Sequence, residues 1–326
     1  MTLTELKYVL AVAQEHHFGR AAESCSVSQP SLSVAVRKLE EELGVKIFER
    51  KSSDVTVTPI GKLIVERAQR VLEDAALLRV CAQQGKDPLS GELRLGTICT
   101  IAPYLIPDLV SSMHKVAVNM PLILTEGLTA NLLEQLKSGQ LDAAIVSLPI
   151  DQPGIMIQPL YDEEFVAVVP ANHPLAHRPA ISRQDVKNEP MLLLGSGHCF
   201  RDQVLDFCAD TLRSDPNAKK SVEGSSLQTI CYMVAQGLGV TILPSSAVPF
   251  YDHNPLIRIV PFERPSVPKR RVVLAWRKTF PRVPAVQAVQ HGVELIRNLH
   301  GCRMLTSLPA VPAQSSDVPL KKPPAL

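Results

Sequence analysis

From Gly91 onward, the sequence alternates short apolar segments with helix-like segments, and this alternation constrains the fold more than any other feature. The predicted strands and helices run in the order 93–98, 103–114, 122–126, 131–136 and 143–146. A βαβα order favours a parallel α/β sheet, because parallel strands are joined by crossover helices. Such sheets bind ligands at the carboxyl ends of their strands. Thr100 and Thr129 follow the first two strands, so both are candidate site residues, although each could instead be a helix N-cap.

A second α/β unit of the same kind follows, and the chain then returns to the first. The second unit is predicted to contain strands at 165–170 and 240–244, a buried segment at 191–194 and a helix at 227–236. The segment that returns to the first unit is predicted to contain a strand at 272–277 and a final helix at 284–299. We therefore expect two α/β lobes, about 91–163 with 269–302 and about 164–268.

The stretch 194–208 combines turn residues with cysteines. Residues 195–197 form the turn, and the apolar residues after it recur at helical spacing, so Cys199 is expected at or near a helix N-terminus. Unpaired N–H groups and the helix dipole at such a position favour a thiolate. His198 and Arg201 could act in the same direction.

A second cysteine, Cys208, follows nine residues after Cys199. In a helix the two Cα atoms would be about 13 Å apart, whereas a disulfide needs Cα atoms within about 7 Å. The two thiols could therefore bond only if the segment left its helical form, as in a redox switch. The same spacing also fits two inert free cysteines, one of them buried on an apolar helix face.

Composition argues against several other classes of protein. The chain has 326 residues, enough for two or three domains, and seven cysteines without a CxxC pair, which argues against a disulfide framework or a zinc site. We therefore expect no metal and no cofactor. The chain has neither an 18-residue apolar run nor a signal-peptide pattern, so we expect no membrane association and a cytoplasmic location. We interpret the remaining cysteines as structural or incidental: Cys25, Cys81, Cys99, Cys231 and Cys302.

Residues 1–59 predict a winged helix-turn-helix. Two short helices are followed by Ser28, a good N-cap, and by Pro30, which suits a first helical turn. The next helix, 31–43, exposes a polar face that would enter a DNA major groove, unless the segment is only a small helical bundle. After this helix, a hairpin is predicted from two alternating runs, 45–50 and 54–58.

Charge does not by itself identify a nucleic-acid partner. The net charge is only +2, and residues 1–60 hold seven Lys and Arg against eight Asp and Glu. Glu40, Glu41 and Glu42 cluster at the far end of the predicted recognition helix. Attraction to phosphate would therefore depend on where the cations are placed rather than on their number.

Two further segments flank the α/β region. A helix at 60–85 carries an apolar stripe that needs a partner, either a second copy or its own domain. The turn-forming residues after it make 60–90 a linker with a hinge. At the other end, 303–326 contains five prolines and little that could pack, which predicts a disordered tail.

Five runs in the N-terminal part resemble the DNA-binding domain of LysR-type transcriptional regulators, at the spacing of that family: 18–23, 27–33, 39–44, 48–50 and 58–61. The resemblance implies an N-terminal winged helix-turn-helix, a linker helix that dimerises, and an α/β, two-lobed regulatory domain of the periplasmic-binding-protein type. It also implies that double-stranded DNA is contacted by Gln29, Pro30, Ser31, Ser33 and Arg37.

Within this family, the chain resembles the peroxide-sensing members along nearly all of its length apart from the tail. The similar positions are 197–203, Phe207, Cys208, Thr100, Thr129, Leu141, Asp142 and 269–271. The resemblance implies that hydrogen peroxide oxidises Cys199, which then forms an intramolecular disulfide with Cys208. The implied peroxide pocket consists of Thr100, Thr129, His198, Asp202 and an arginine, with Arg270 preferred to Arg271.

The resemblance also implies a regulatory output. Oxidation would change a homo-oligomer, a tetramer built as a dimer of dimers, and so activate transcription of oxidative-stress genes. Asp142 would contact RNA polymerase, unless it is simply a solvated acid, and glutaredoxin or thioredoxin would reduce the disulfide. Two other hypotheses stay open: a regulator that binds a metabolite in the inter-lobe cleft, and a peroxidatic enzyme. The winged-helix segment and the lack of a reductase motif weigh against the enzyme.

Overall fold

The computed structural model describes residues 1–51, 54–83, 88–187, 189–208, 223–305 and 309–313. Contacts divide the chain into two compact units, Met1–Pro88 with Thr279–Arg282, and Leu89–Lys278 with Val283–Leu326. No helix within the described ranges is both long enough and apolar enough to cross a membrane.

The first unit begins with three helices, α1 (Leu3–Glu15), α2 (Phe18–Ser24) and α3 (Gln29–Leu43). Ser28 is the N-cap of α3, as predicted, and its hydroxyl accepts a hydrogen bond from the Ser31 N–H at 3.4 Å. Because proline needs no hydrogen-bond partner in a first turn, α3 includes Pro30 and begins two residues earlier than predicted. The side chains that α3 buries in the shared apolar cluster are Leu32, Val36 and Leu39.

A short hairpin follows, with β1 (Phe48–Lys51) antiparallel to β2 (Asp54–Val57). Glu40, which belongs to the acidic run at the end of α3, is buried, and its Oε1 accepts the N–H groups of Ile47 at 2.8 Å and Phe48 at 3.1 Å. Lys46 Nζ lies 3.1 Å from its other oxygen. This carboxylate therefore attaches the start of the hairpin to α3. The long helix α4 (Pro59–Gln83) follows the hairpin.

The second unit is built on a mixed sheet. Its strands, in chain order, are β3 (Leu93–Ile98), β4 (Leu122–Gly127), β5 (Ala143–Ser147), β6 (Ile155–Pro170), β7 (Leu193–Leu194), β8 (Glu223–Gly224), β9 (Thr241–Pro244), β10 (Ile257–Pro261), β11 (Lys269–Arg277), β12 (Cys302–Met304) and β13 (Val311–Pro312). The order across the main sheet is β10-β6-β11-β5-β3-β4, and β9, β12 and β13 also pair with β6. β3 is parallel to both β4 and β5, as predicted, whereas β11 is antiparallel to β5 and β6. The separate pair β7 and β8 is parallel.

Helices connect these strands. They are α5 (Ala102–Val116), α6 (Thr129–Lys137), α7 (Arg183–Lys187), α8 (Cys199–Phe207), α9 (Leu227–Ala235), α10 (Val248–Tyr251) and α11 (Val283–Glu294). Because α5 follows β3 and α6 follows the neighbouring β4, Thr100 and Thr129 lie at the carboxyl edge of the parallel strands. The predicted fold class, an N-terminal helix-turn-helix followed by an α/β regulatory domain, is confirmed.

The strand β6 is longer than the sequence predicts. It contains 16 residues, of which only 165–170 were expected to be a strand. Its first part pairs with β11 as far as Glu164, and its last part pairs with β9 and β10 from Phe165 onward. The change of partners occurs next to the lobe boundary predicted at 163/164.

The predicted disordered tail needs a correction at its start. Cys302–Met304 and Val311–Pro312 form β12 and β13, which pair antiparallel with β6. The first part of β6 would otherwise present unpaired N–H and C=O groups on that side, and these two segments bond to them. Residues 306–308 and 314–326 lie outside the described part of the chain.

Candidate functional site

Cys199 is the first residue of α8, as the sequence predicts. The turn before it depends on Gly197, whose φ of +94° is in the left-handed region that favours glycine. His198 occupies the N-cap position, but its side chain makes no capping hydrogen bond. The His198 imidazole therefore does not cap the helix.

A small cavity brings the predicted peroxide residues together. Its empty volume is about 170 Å³, counted with its open mouth. The residues that line it are Ile98, Thr100, Gly127, Leu128, Thr129, His198 and Cys199. Four of the residues that the sequence assigns to the peroxide chemistry, from three separate segments of the chain, thus share one space next to the Cys199 sulfur.

Neither threonine serves as a helix cap. The N-cap residues of α5 and α6 are Ile101 and Leu128, and neither helix has a side-chain capping bond. The Thr100 hydroxyl instead accepts a hydrogen bond from Arg270 Nη1 at 2.9 Å. The Thr129 hydroxyl is buried and has no hydrogen-bond partner among the described residues. A buried polar atom without a partner is costly, so the cavity is suited to a small polar ligand.

Arg270 is the arginine that reaches this site. Its side chain is fully buried, and its Nη2 also donates to the Thr100 carbonyl at 2.9 Å. Burial disfavours its charge, but Glu163 and the nearby Tyr161 and Cys199 outweigh that effect, so the pKa of Arg270 is raised. Arg271 instead bonds to Asp162 through Nε at 2.7 Å and Nη2 at 3.0 Å.

His198 and Asp202 differ in their relation to the cavity. His198 lines it, and burial lowers the pKa of its imidazole below the ordinary value. A neutral imidazole can both donate and accept a hydrogen bond. Asp202, which the sequence assigns to the same pocket, is an exposed residue in the first turn of α8 and is not among the residues that line the cavity.

Cys208 caps the other end of α8 and is buried. Burial, offset in part by Arg183, raises the pKa of its thiol to about 11. The helical rise between the two cysteines corresponds to about 13 Å, well beyond disulfide range. The resting structure therefore holds the two sulfurs apart, and any bond between them requires α8 to unwind.

Several contacts hold α8 in its helical form. Phe200 packs edge-on against Phe165 with ring centroids 4.9 Å apart, and the Arg270 guanidinium lies 5.2 Å from the Phe200 ring centroid. Gln203 Nε2 donates to Ser147 Oγ and to the Leu148 carbonyl, both at 2.8 Å. The helical spacing of the apolar residues after the turn places Phe200 on one apolar face of α8. It does not reveal the role of Gln203, because the partners of Gln203 are more than 50 residues away along the chain.

The predicted DNA-contact residues all lie on α3, in its first nine residues. Gln29, Pro30, Ser31 and Arg37 are exposed and Ser33 is partly exposed. The sequence analysis did not single out Val34, which lies on α3 between these residues and is 66% exposed. An exposed apolar side chain on such a helix can contact a thymine methyl group.

Asp142 differs from the exposed acid that the sequence suggests. It is buried, and its carboxylate accepts bonds from the Arg94 backbone N–H at 2.8 Å, from Nε at 3.2 Å and from Nη2 at 2.8 Å. Both carboxylate oxygens are therefore occupied by one arginine. Arg94, with 44% of its side chain exposed, is the partner that faces solvent.

Comparisons with known proteins match almost the whole chain. The family "Bacterial regulatory helix-turn-helix protein, lysR family" matches residues 3–62, and "LysR substrate binding domain" matches residues 86–292. The hydrogen peroxide-inducible genes activator of Dickeya chrysanthemi is 38% identical over 300 residues, which cover 92% of this chain and 97% of that protein.

Solved structures of OxyR proteins are also similar to most of this chain. Full-length OxyR from Pseudomonas aeruginosa, in a cysteine-to-aspartate variant, is 46% identical with a TM-score of 0.78, covering 95% of this chain and 99% of that one. A cysteine-to-serine variant of Corynebacterium glutamicum OxyR with hydrogen peroxide bound is 32% identical with a TM-score of 0.62, covering 90% and 91%.

Proposed function

The chain belongs to the LysR family of transcriptional regulators, as an OxyR homologue over most of its length, and we propose that it activates genes in response to hydrogen peroxide. Because the family consists of transcription regulators, the chain is not an enzyme. The proposal therefore concerns one oxidation event that changes DNA binding, rather than repeated turnover of peroxide.

The main support for this proposal is the cavity at Cys199. Three of the residues that line it with Cys199 have hydrogen-bonding side chains, Thr100, Thr129 and His198, and the buried Thr129 hydroxyl has no hydrogen-bond partner among the described residues. The cavity is small, since its 170 Å³ already includes the open solvent at its mouth. Hydrogen peroxide, which the related C. glutamicum protein holds, fits both the size and the polarity.

The first chemical step takes place at the Cys199 sulfur. The thiolate attacks one peroxide oxygen, so an S–O bond forms, the O–O bond breaks, and hydroxide leaves and is protonated to water. Thr100, Thr129 and His198 hold the peroxide in line with the sulfur. Arg270, bonded to Thr100, provides positive charge close to the leaving oxygen.

The second step joins the two cysteines. The Cys208 thiol condenses with the Cys199 sulfenic acid, forming an S–S bond and releasing a second water. Because the helix holds these sulfurs apart, α8 unwinds before the bond can close. In the sum, two thiols and one peroxide give one disulfide and two waters.

The output follows from the rearranged packing around α8. We propose that it changes the contacts within a homo-oligomer, a dimer of dimers, and thus the DNA half-sites that the α3 helices occupy. In this proposal a cytoplasmic thiol reductant of the glutaredoxin or thioredoxin type resets the switch. RNA polymerase would contact the surface near Asp142, where Arg94 is the more exposed of the two partners.

The test is a peptide mass map of the reduced full-length protein after one equivalent of hydrogen peroxide. We expect a loss of two hydrogens shared by the peptides that contain Cys199 and Cys208. The Cys208→Ser variant should stop at a sulfenic acid on Cys199, and Cys199→Ser should bind operator DNA without any peroxide response.

Unmodified Cys199 after the pulse would contradict the proposal and favour the metabolite-binding alternative. A peroxide-dependent change of DNA footprint in Cys199→Ser would also contradict it, because the signal would then not pass through this sulfur.

A further inference from the structure

A buried ion pair lies directly behind the peroxide site. Arg270 Nε is 2.7 Å from Glu163 Oε2, and both side chains have no exposed surface. The pair joins neighbouring strands, since Arg270 of β11 and Glu163 of β6 are directly opposite in the sheet register. The pairing of the two strands therefore places the Glu163 carboxylate next to the Arg270 guanidinium.

The other Glu163 oxygen is also occupied. Oε1 accepts the Ser246 N–H at 3.0 Å, in the short 3₁₀ turn Ser245–Ala247 that follows β9. On the far side of β6, Glu163 is in register with Cys302 of β12. The carboxylate is thus held from β11 and from the turn after β9, while the Glu163 backbone is paired with β12.

Arg270 connects Glu163 to Thr100, which lines the peroxide cavity. With Nε held by Glu163, the two remaining nitrogens donate to the Thr100 hydroxyl and carbonyl, both at 2.9 Å. The guanidinium carbon lies over the ring of Phe200, the residue next to Cys199, at 5.2 Å from the ring centroid. Rotation of the guanidinium away from Glu163 would break all of these contacts at once.

We propose that Glu163 is a positioning residue for the peroxide reaction: it touches neither peroxide nor the Cys199 sulfur, and acts by holding the Arg270 guanidinium against Thr100. This inference rests on the proposed function, because it assumes that Cys199 reacts with peroxide. It adds a residue to which the sequence analysis assigned no role, within the acidic run Asp162-Glu163-Glu164.

The test compares two reactions of the same sulfur in full-length protein, using a Cys208→Ser background so that oxidation stops at the sulfenic acid. Glu163→Gln keeps the shape of the side chain but replaces one acceptor oxygen with an NH₂ donor, so either Arg270 or Ser246 loses its partner. We expect the rate constant with hydrogen peroxide to fall about 10- to 100-fold, as for a displaced charge-stabilising group. Alkylation of Cys199 by iodoacetamide, which releases no hydroxide, should keep its rate.

Two variants serve as controls. Glu164→Gln makes the same change at the next residue, where the carboxylate is 41% exposed and pairs with Arg264 at the surface, and should leave both rates unchanged. Glu163→Asp keeps the charge on a shorter side chain and should recover part of the peroxide rate. Equal losses of the peroxide and alkylation rates in Glu163→Gln, or no loss in either, would overturn the inference.

A double variant keeps the test valid if Glu163→Gln leaves an uncompensated buried charge and folds poorly. Arg270→Gln with Glu163→Gln removes both charges, which proteins tolerate better than removing one. If Glu163 acts only through Arg270, the double variant reacts with peroxide no more slowly than Arg270→Gln alone. A further loss equal to the Glu163→Gln effect would overturn the inference.

The Cys208→Ser protein without a second substitution is the reference for all of these rates. If Cys199 in the Cys208→Ser reference does not react with peroxide at all, the proposed function fails and this inference fails with it. If the reference reacts and Glu163→Gln reacts equally fast, only the inference fails.

Discussion

A single buried carboxylate, that of Glu40, attaches the hairpin of the first unit to α3. Glu40→Ala would leave the N–H groups of Ile47 and Phe48 buried without their acceptor. Each such loss costs about 1–3 kcal/mol, so we expect the free energy of unfolding of this unit to fall by about 2–6 kcal/mol. Calorimetry of the full-length protein, with operator binding followed by fluorescence anisotropy, measures the effect.

The next residue provides the control. Glu41 is exposed, so Glu41→Ala should change the unfolding free energy by no more than about 0.5 kcal/mol. If both variants lost the same amount of stability, general charge at the end of α3, and not the two hydrogen bonds, would be the cause.

The thiol of Cys208 has its own pH signature. Burial raises its pKa to about 11, so the folded protein keeps this proton at pH values where an unfolded chain, with a cysteine pKa near 8.5, has lost it. Labelling of Cys208 with N-ethylmaleimide in the reduced protein should rise about tenfold per pH unit up to pH 11. Mass spectrometry of the labelled peptide follows this rise.

The sign of the linked stability effect follows directly. The folded state holds the Cys208 proton more tightly than the unfolded chain does, so the protonated thiol adds to the free energy of unfolding. This contribution is fully present below about pH 8.5 and is lost as the pH rises to about 11. Equal labelling midpoints in native protein and in urea would show that the thiol is not protected by the fold.

At the scale of elements, the stability of α8 sets how easily the two cysteines meet. Val204 is buried, and Val204→Ala removes two methyl groups, worth about 1.5 kcal/mol, from the packing of the helical form. If α8 unwinds in the oxidised protein, only the reduced state loses this packing. We therefore expect the disulfide to be favoured about tenfold more in glutathione redox buffers.

Asp206→Glu keeps the charge on the exposed face of α8, so this variant is the control and should leave the redox equilibrium where it was. A Val204→Ala protein with an unchanged equilibrium would mean that the helix stays packed after oxidation. The proposed closure of the disulfide would then need a different movement.

The elements also show where sequence patterns succeed and fail. Apolar periodicity predicted the helices of the first unit and the parallel strands β3, β4 and β5, because apolar residues recur at helical spacing in the helices and form short apolar runs in the strands. It missed the first part of β6, where Asp162 and Glu163 interrupt the apolar pattern. Their partners, Arg271 and Arg270, are more than a hundred residues away, and only the strand register brings them together.

The same limit applies to the candidate site. A turn before a helix predicted the position of Cys199, and the ends of two parallel strands predicted those of Thr100 and Thr129. The buried state of Asp142 and the exposed state of Asp202 depend on the packing around them, which sequence spacing does not encode. The resemblance to a family supplied residue roles, and the structure supplied their contacts.

At the scale of the whole molecule, charge placement and not total charge must explain DNA binding. The net charge is only +2, so a general attraction to phosphate is weak. Arg37 is exposed on α3, where the proposed DNA contact lies. Arg37→Gln should weaken operator binding and reduce the slope of log affinity against log salt by about one, if its guanidinium neutralises one phosphate.

Arg178→Gln removes the same charge from the second unit, where Arg178 pairs with Asp185 at the surface. Placement predicts that this variant keeps the wild-type salt slope, whereas a net-charge effect predicts that both variants lose affinity alike. Binding titrations between 50 and 200 mM salt, a range in which phosphate contacts dominate the change in affinity, separate the two outcomes. Equal slopes in Arg37→Gln and wild type would place the phosphate contact elsewhere on the first unit, and the DNA face assigned to α3 would have to be redrawn.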